Sequence, residues 1–301
     1  MGIGKGLSKY CGRNIIALKP GKRMTSSSRM KKNPAKITGA TMEANENGGT
    51  KKNRRRNQKK SLSPTQKLYD TCKVVFSSSY TGFVPPPDNM EKLRAVLDDI
   101  KPIDVGVNQD MDCFRPNPDG NLAITYLHIF ENEKFSMGIF CLPPSAVIPL
   151  HNHPGMTVFS KLLFGTMHIK AYDWVTDLGG SSYSIEDNDT QTKLRLAEVK
   201  IDSNFTAPCK SSILFPSGGG NMHCFTAVTA CAVLDVLGPP YSDVDGRHCT
   251  YYHDFPLSAF KVDNIPASKG KNKSYAWLKE TEKPDELSFL GKLYSGPKIS
   301  F

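Results

Sequence analysis

The 301-residue sequence has no run approaching the roughly 18 consecutive apolar residues needed to cross a bilayer, and its first residues lack the apolar core of a secretory signal. A soluble, intracellular protein is the expectation. Gly6 stands where an N-myristoylation signal beginning at Gly2 would need Ser or Thr, so lipid anchoring is not expected either. Eight cysteines are present without a single Cys-x-x-Cys pair, which excludes zinc-finger spacing, and a chain of this length does not need disulfides to hold a core. Cys141, Cys224 and Cys231 lie in apolar runs, where cysteine acts as a small buried hydrophobe. Internal repeats are absent. What is present, 39% hydrophobic residues, suffices for a buried core.

The net charge of +10 looks like a signal for nucleic acid until it is divided by position. Residues 1–60 carry 17 Lys and Arg against Glu43 and Glu46, a formal +15; the rest carries 22 basic and 27 acidic groups, a formal −5. The body therefore lacks the basic excess of a phosphate-binding surface, and direct nucleic-acid binding is not expected of it. Residues 1–62 are rich in Lys, Arg, Ser, Asn and Gly, a composition that buries too little apolar surface to offset chain entropy, so a disordered basic arm is expected there. Within it, residues 51–60 (KKNRRRNQKK) form a dense basic run of the kind read by nuclear import receptors, which predicts a nuclear protein with a cytoplasmic fraction. An inert solubilising tail and an organelle transit peptide are the alternatives.

The second region, 63–301, is expected to fold as one domain. Ser63-Pro64 reads as a helix start, with Leu68, Cys72 and Val75 on one face. A second helix is expected with Asp88 and Glu91 as a capping pair and Leu93, Val96, Leu97 and Ile100 at helical spacing. From about residue 103 the texture changes to short β-rich runs at 123–130, 135–142, 156–163, 166–173, 212–216, 222–229 and 231–237, split by Gly, Pro, Asn and Asp. Many short strands in one segment predict a mainly β sandwich or barrel, the jelly roll being one solution. Residues 174–195 are polar and acidic and read as a surface loop or hairpin insertion, while 262–300 is expected to be held by Tyr275, Trp277 and Leu278.

His151-Asn152-His153 follows the apolar run 146–150, so two imidazoles lie two residues apart on extended chain and point the same way. Such a pair can chelate a metal if a third ligand arrives from another strand. His223, after the Gly-rich turn Pro216-Ser217-Gly218-Gly219-Gly220 and at the start of an apolar run, is the candidate. The arrangement resembles the two cupin motifs, with departures. The closing glycine is kept as Gly165, but Thr157 and Val158 stand where the glutamate is expected after the second His, and His223 comes two residues later than the second motif places it. Three neutral imidazoles without a carboxylate leave a divalent iron its full charge, which favours an anionic thiolate as a further ligand and leaves room for dioxygen. His128, His168, His248 and His253 read as ordinary structural histidines. Asp235 is a second anomaly, a carboxylate inside the apolar run 231–237; either a structural hydrogen bond or the ammonium of a substrate would satisfy it.

Over about 63–301 the chain resembles the plant cysteine oxidases and, through them, cysteamine dioxygenase. The segments that carry the likeness are FVPPPDNMEKLRAVLDDIKPIDVGV, LHIFENEKFSMGIFCLPPSAVIPLHNHPGMTVFSKLLFGTMHIKAYDW, LFPSGGGNMHCF and LDVLGPPYSDVDGRHCTYYHDFP. The resemblance implies a cupin barrel (double-stranded β-helix, jelly roll) with an N-terminal helical pair, and iron(II) held by His151, His153 and His223. It implies oxidation of N-terminal cysteine to cysteine sulfinic acid by dioxygen. It also implies substrates among Cys-initiating proteins such as group VII ethylene-response transcription factors, which makes the protein an oxygen sensor feeding an N-degron pathway in hypoxia. Asp235, Tyr241 and Cys249 match positions at or near the family's active site, and Cys249-Thr250-Tyr251 is similar to a Cys–Tyr cross-link of relatives. A monomer is expected. Two rival readings are a nuclear nucleic-acid-binding regulator with a non-catalytic barrel, and a cupin enzyme acting on another small substrate.

Overall fold

The computed structural model describes residues 62–116, 122–176, 183–187, 192–260 and 273–301. The basic arm, apart from Leu62, and its 51–60 run lie outside the described residues, as does part of the 174–195 segment.

Helix α1 (Pro64–Val75) begins as its residues dictate: Ser63 Oγ accepts from Gln66 N at 3.1 Å, and Pro64 occupies the first turn, where its missing N–H costs nothing. Its buried face carries Leu68, Cys72 and Val75. Helix α2 (Pro87–Asp99) buries Leu93, Val96 and Leu97, but the capping pair expected of Asp88 and Glu91 does not form. The N-cap is Pro86, which makes no side-chain cap bond, and Asp88 already lies in the first turn, where it acts only on the helix dipole. The prolines at 85–87, with φ fixed in advance, start this helix two residues earlier than the polar signal suggested.

Thirteen strands follow among the described residues: β1 (Ile124–Glu131), β2 (Ser136–Leu142), β3 (Val147–Asn152), β4 (Thr157–Phe164), β5 (Thr166–Trp174), β6 (Ser184–Asp187), β7 (Thr192–Thr206), β8 (Ser212–Leu214), β9 (Met222–Ala227), β10 (Cys231–Gly238), β11 (Tyr251–Pro256), β12 (Tyr275–Thr281) and β13 (Phe289–Leu293). One sheet runs β13-β1-β2-β10-β4-β8 and the other β12-β11-β3-β9-β5-β7-β6, with β12 also pairing β7. All pairs are antiparallel except β1 with β13. This is the jelly roll, a mainly β barrel of two facing sheets preceded by a helical pair.

The strand expectations hold to within a few residues at their ends, but the polar stretch after 174 hides more order than expected. Its described part is indeed a hairpin, β6 on the start of β7, yet β7 then runs for 15 residues through Leu194, Leu196, Val199 and Ile201. Those apolar residues are spaced for a strand, but the intervening charges mask the alternation. The C-terminal segment is held by its aromatics as expected: Trp277 and Leu278 are each 1% exposed on β12.

Two apolar layers result. Inside the barrel, Ile124, Leu142, Leu162 and Val233 of the first sheet meet Ile148, Met167 and Phe225 of the second. Outside it, α1 and α2 cover Met137, Ile139, Ala232, Leu234 and Val236. Strand β10 is therefore buried along its whole length, with Val233, Asp235 and Leu237 on the alternate, inward face. Complete burial of each large side chain in these layers contributes roughly 1.5–3 kcal/mol. The turn from β4 to β5 requires glycine: Gly165 has φ +86°, and a Cβ there would collide with the backbone of Ala230 and Cys231.

Candidate metal centre

Strands β3 and β9 are neighbours, and their register sets His151 directly opposite His223. His153 follows β3 by one residue and, by the two-residue alternation of extended chain, faces the same way. The three histidines are 7%, 3% and 5% exposed, and one ligand atom from each lies within 4.8 Å of the others. They are the group of metal-ligating side chains that the described residues bring together, and no carboxylate belongs to it. Thr157, in the place of the motif's glutamate, instead donates its hydroxyl to Phe83 O at 2.7 Å.

Each ring is turned by a partner on its far side. His151 Nδ1 is 2.8 Å from Pro149 O and can only donate to it, which leaves Nε2 as a free lone pair. Tyr241 Oη donates to Asn152 O at 2.8 Å, so at 2.9 Å from His153 Nδ1 it must accept that ring's proton. His223 is hydrogen-bonded by the backbone of Gly220. The result places His153 Nε2 and His223 Nε2 3.2 Å apart. Two imidazole nitrogens bound at right angles to one ion at about 2.1 Å would be separated by about 3 Å, so the observed spacing fits a shared cation, whereas two facing lone pairs alone repel.

Burial acts in the same direction. It pushes His151 down to about 4, partly opposed by the Pro149 carbonyl, and holds His153 and His223 well below their usual range, with the neighbouring histidines adding to the shift. Neutral imidazole is the form that binds metals.

The histidines open on a small apolar pocket whose wall includes Tyr126, Phe140, Ile148, Phe225 and Phe289. Asp235 and Tyr241 face it as well. Asp235 is 5% exposed; burial drives its carboxyl up to about 7 against a hydrogen bond from Ser160, and its Oδ1 has no hydrogen-bond partner among the described residues. Cys249 and Tyr251 are not among the residues lining the pocket: Cys249 packs behind it against the cluster of Leu237 and Tyr241, and Tyr251 pairs with His151 across β11 and β3. Among the described residues, no arginine or lysine lines the pocket. Arg247, the arginine nearest in sequence, is bonded instead to Pro240 O, Thr81 Oγ1 and Asp245.

Of the histidines read as structural, His128 is half-buried with its pKa lowered by burial, and His168 pairs with Asp202 at 3.0 Å. Sequence reasoning missed Asn221, whose side chain grips the backbone of His153, and Asp173, which accepts from the Gly-rich turn. It also missed Phe289, delivered to the pocket by the unanticipated strand β13. The displaced position of His223 in its motif was a signal that the preceding turn is unusual.

Comparison with known proteins adds the following. A family model described as PCO_ADO matches residues 96–299. Plant cysteine oxidase 2 of Arabidopsis thaliana is 59% identical over 257 residues, covering 85% of this chain and 90% of that protein. Plant cysteine oxidase 1 of the same plant is 53% identical over 246 residues, 79% of this chain and 81% of that protein. The 2-aminoethanethiol dioxygenase of Homo sapiens is 31% identical over 224 residues, 71% of this chain and 82% of that protein.

Proposed function

Because the chain belongs to the PCO_ADO family, it is a thiol dioxygenase, and we propose that it uses iron(II) to convert the N-terminal cysteine of proteins to cysteine sulfinic acid. The observation that carries the finer reading is the composition of the site: three neutral imidazoles converging on one point, a buried acid opposite them, and no guanidinium in the pocket. The reaction adds both atoms of one dioxygen to the sulfur, R–SH + O₂ → R–SO₂H, so no external reductant is needed. His151, His153 and His223 would hold ferrous iron, which would supply the redox chemistry and a positive charge favouring thiolate over thiol.

The protein's own groups divide the remaining work. Pro149 O, Tyr241 and the Gly220 backbone fix the ring orientations, so that the ligand nitrogens converge before anything binds. Phe140, Ile148, Phe225 and Phe289 keep the pocket apolar and exclude competing water. Asp235 Oδ1 offers an unclaimed acceptor to the α-ammonium of the substrate. That ammonium in turn stabilises the ionised carboxylate against the upward push of burial. The direct test is to incubate the iron-loaded protein with a Cys-initiating peptide in air while recording dioxygen uptake and product mass. One dioxygen consumed and two oxygen atoms gained per peptide is the expected result; no uptake, or a disulfide as sole product, would overturn it.

Cys-initiating transcription factors of the group VII ethylene-response class are the proposed substrates, with sulfinylation exposing them to N-degron degradation when oxygen is plentiful. The basic run at 51–60 supports nuclear import, where such substrates act. Deleting residues 1–62 is expected to move a fluorescently tagged protein out of the nucleus while leaving peptide turnover largely unchanged. Continued nuclear enrichment would refute the assignment of the address.

A further inference from the structure

Relative to the motif it resembles, the turn before His223 is two residues too long, and Asn221 stands where the metal ligand would have come. The structure shows what the extra length makes. Gly219 and Gly220 adopt φ of +80° and +85°, which turns three consecutive backbone amides towards Asp173, at the end of β5. Asp173 Oδ2 accepts from Gly219 N at 2.9 Å, and Oδ1 accepts from Gly220 N at 2.9 Å and Asn221 N at 3.1 Å. A carboxylate in such a nest of amides holds the turn in a shape that two glycines would not keep unaided.

That turn reaches two of the three ligands. Gly220 supplies the backbone partner that orients His223. Asn221 clamps His153 on both sides, accepting from His153 N at 3.2 Å and donating to His153 O at 2.9 Å, while the same amide donates to Phe215 O at 2.8 Å. His151 takes its orientation chiefly from Pro149 in its own strand, and no hydrogen bond joins it to Asp173, Gly219, Gly220 or Asn221. We propose that Asp173 is a positioning residue of the metal centre, acting through the Gly219–Asn221 turn on His153 and His223 together.

The role rests on the reading of the three histidines as a metal centre, and the experiment separates the two. In the full-length protein, the affinity for cobalt(II), a visible stand-in for iron, is measured by chelator competition for the unaltered chain, Asp173→Asn and Asn221→Ser. The melting temperature of each metal-free form is measured alongside. Asn keeps the size of Asp but presents one acceptor and a repelling NH₂ to the amides. Both variants are expected to bind cobalt about 10–100-fold more weakly, with a shifted absorption spectrum, as when an outer partner of a ligand is lost. Saturating iron is expected to restore turnover with the peptide KM unchanged. Cobalt affinity and spectrum equal to those of the unaltered chain in both variants would overturn the positioning role. So would loss of metal-free stability in both variants large enough to account for the weakened binding. Failure of the unaltered chain to bind cobalt would instead sink the metal-centre reading, and this role with it.

Discussion

Replacing His223 by Ala is expected to reduce bound iron to background and turnover to below about a hundredth of normal, while the barrel remains folded. Loss of a mere outer partner weakens a metal site about 10–100-fold, and His223 is a proposed ligand itself, so the effect should exceed that range. Folding should survive for reasons visible around the ring. His223 stacks on Phe225 at 4.3 Å between ring centres, so truncation opens a cavity costing roughly 2–5 kcal/mol. That is less than the roughly 5–15 kcal/mol stability of an ordinary domain, and removing the nitrogen 3.2 Å from His153 Nε2 relieves a repulsion in the metal-free state. Iron content by atomic absorption, oxygen uptake and a thermal melt decide the matter together. Stoichiometric iron with near-normal turnover would remove His223 from the ligand set.

Acetylating the α-amine of a Cys-initiating peptide should cost most of its turnover, and free cysteine should be oxidised more slowly than the peptide. Both expectations come from the charges in the pocket. A site for free cysteine would be expected to meet the substrate carboxylate with an arginine, whose fork matches it; the arginine nearest this site in sequence, Arg247, is bonded elsewhere. The acid that does face the pocket, Asp235, has an unsatisfied Oδ1. A hydrogen bond between charged partners is worth about 1.5–3 kcal/mol, or roughly 10–100-fold in kcat/KM. Mass spectrometry of three peptides, with free Cys, N-acetyl-Cys and Met-Cys termini, should show two added oxygens in the first alone. Asp235→Asn should cause a loss of the same order without lowering the melting temperature, because a carboxyl that burial pushes up to about 7 is no stabilising charge. Equal oxidation of all three peptides, or an Asn variant of full activity and much reduced melting temperature, would return Asp235 to a structural role.

How far the sequence announced this site depends on how local each signal is. The H-x-H pair needed only strand alternation to face two rings the same way, and the Gly-rich turn marked where a third could enter; the register of β3 and β9 brings them together. Asp235 was conspicuous because a lone acid interrupts eight residues buried on both faces. Asp173 was not, since a carboxylate at the end of a strand resembles any solvated loop residue until the turn 46–48 residues later closes on it. The same holds for Asn221, whose partner His153 is 68 residues away. The capping pair at Asp88 failed because prolines fixed the backbone first, and β7 escaped notice because most of it lies beyond the 174–195 stretch read as a loop or hairpin, with charges masking its alternation.

The double burial of β10 has a consequence for how such an enzyme can vary. The strand is a party wall: Leu234 and Val236 belong to the helical room and Asp235 to the pocket, and β2 and β4 bond it on both flanks so that it cannot slide aside. A bulkier side chain under the helices must therefore be absorbed as a displacement of the wall, and interiors packed at crystal density transmit such displacements over short distances. Residues that never meet substrate thus hold a vernier on the distance between Asp235 and the histidines. A change of size at Leu234 or Val236 is therefore expected to alter turnover without changing any residue that lines the pocket.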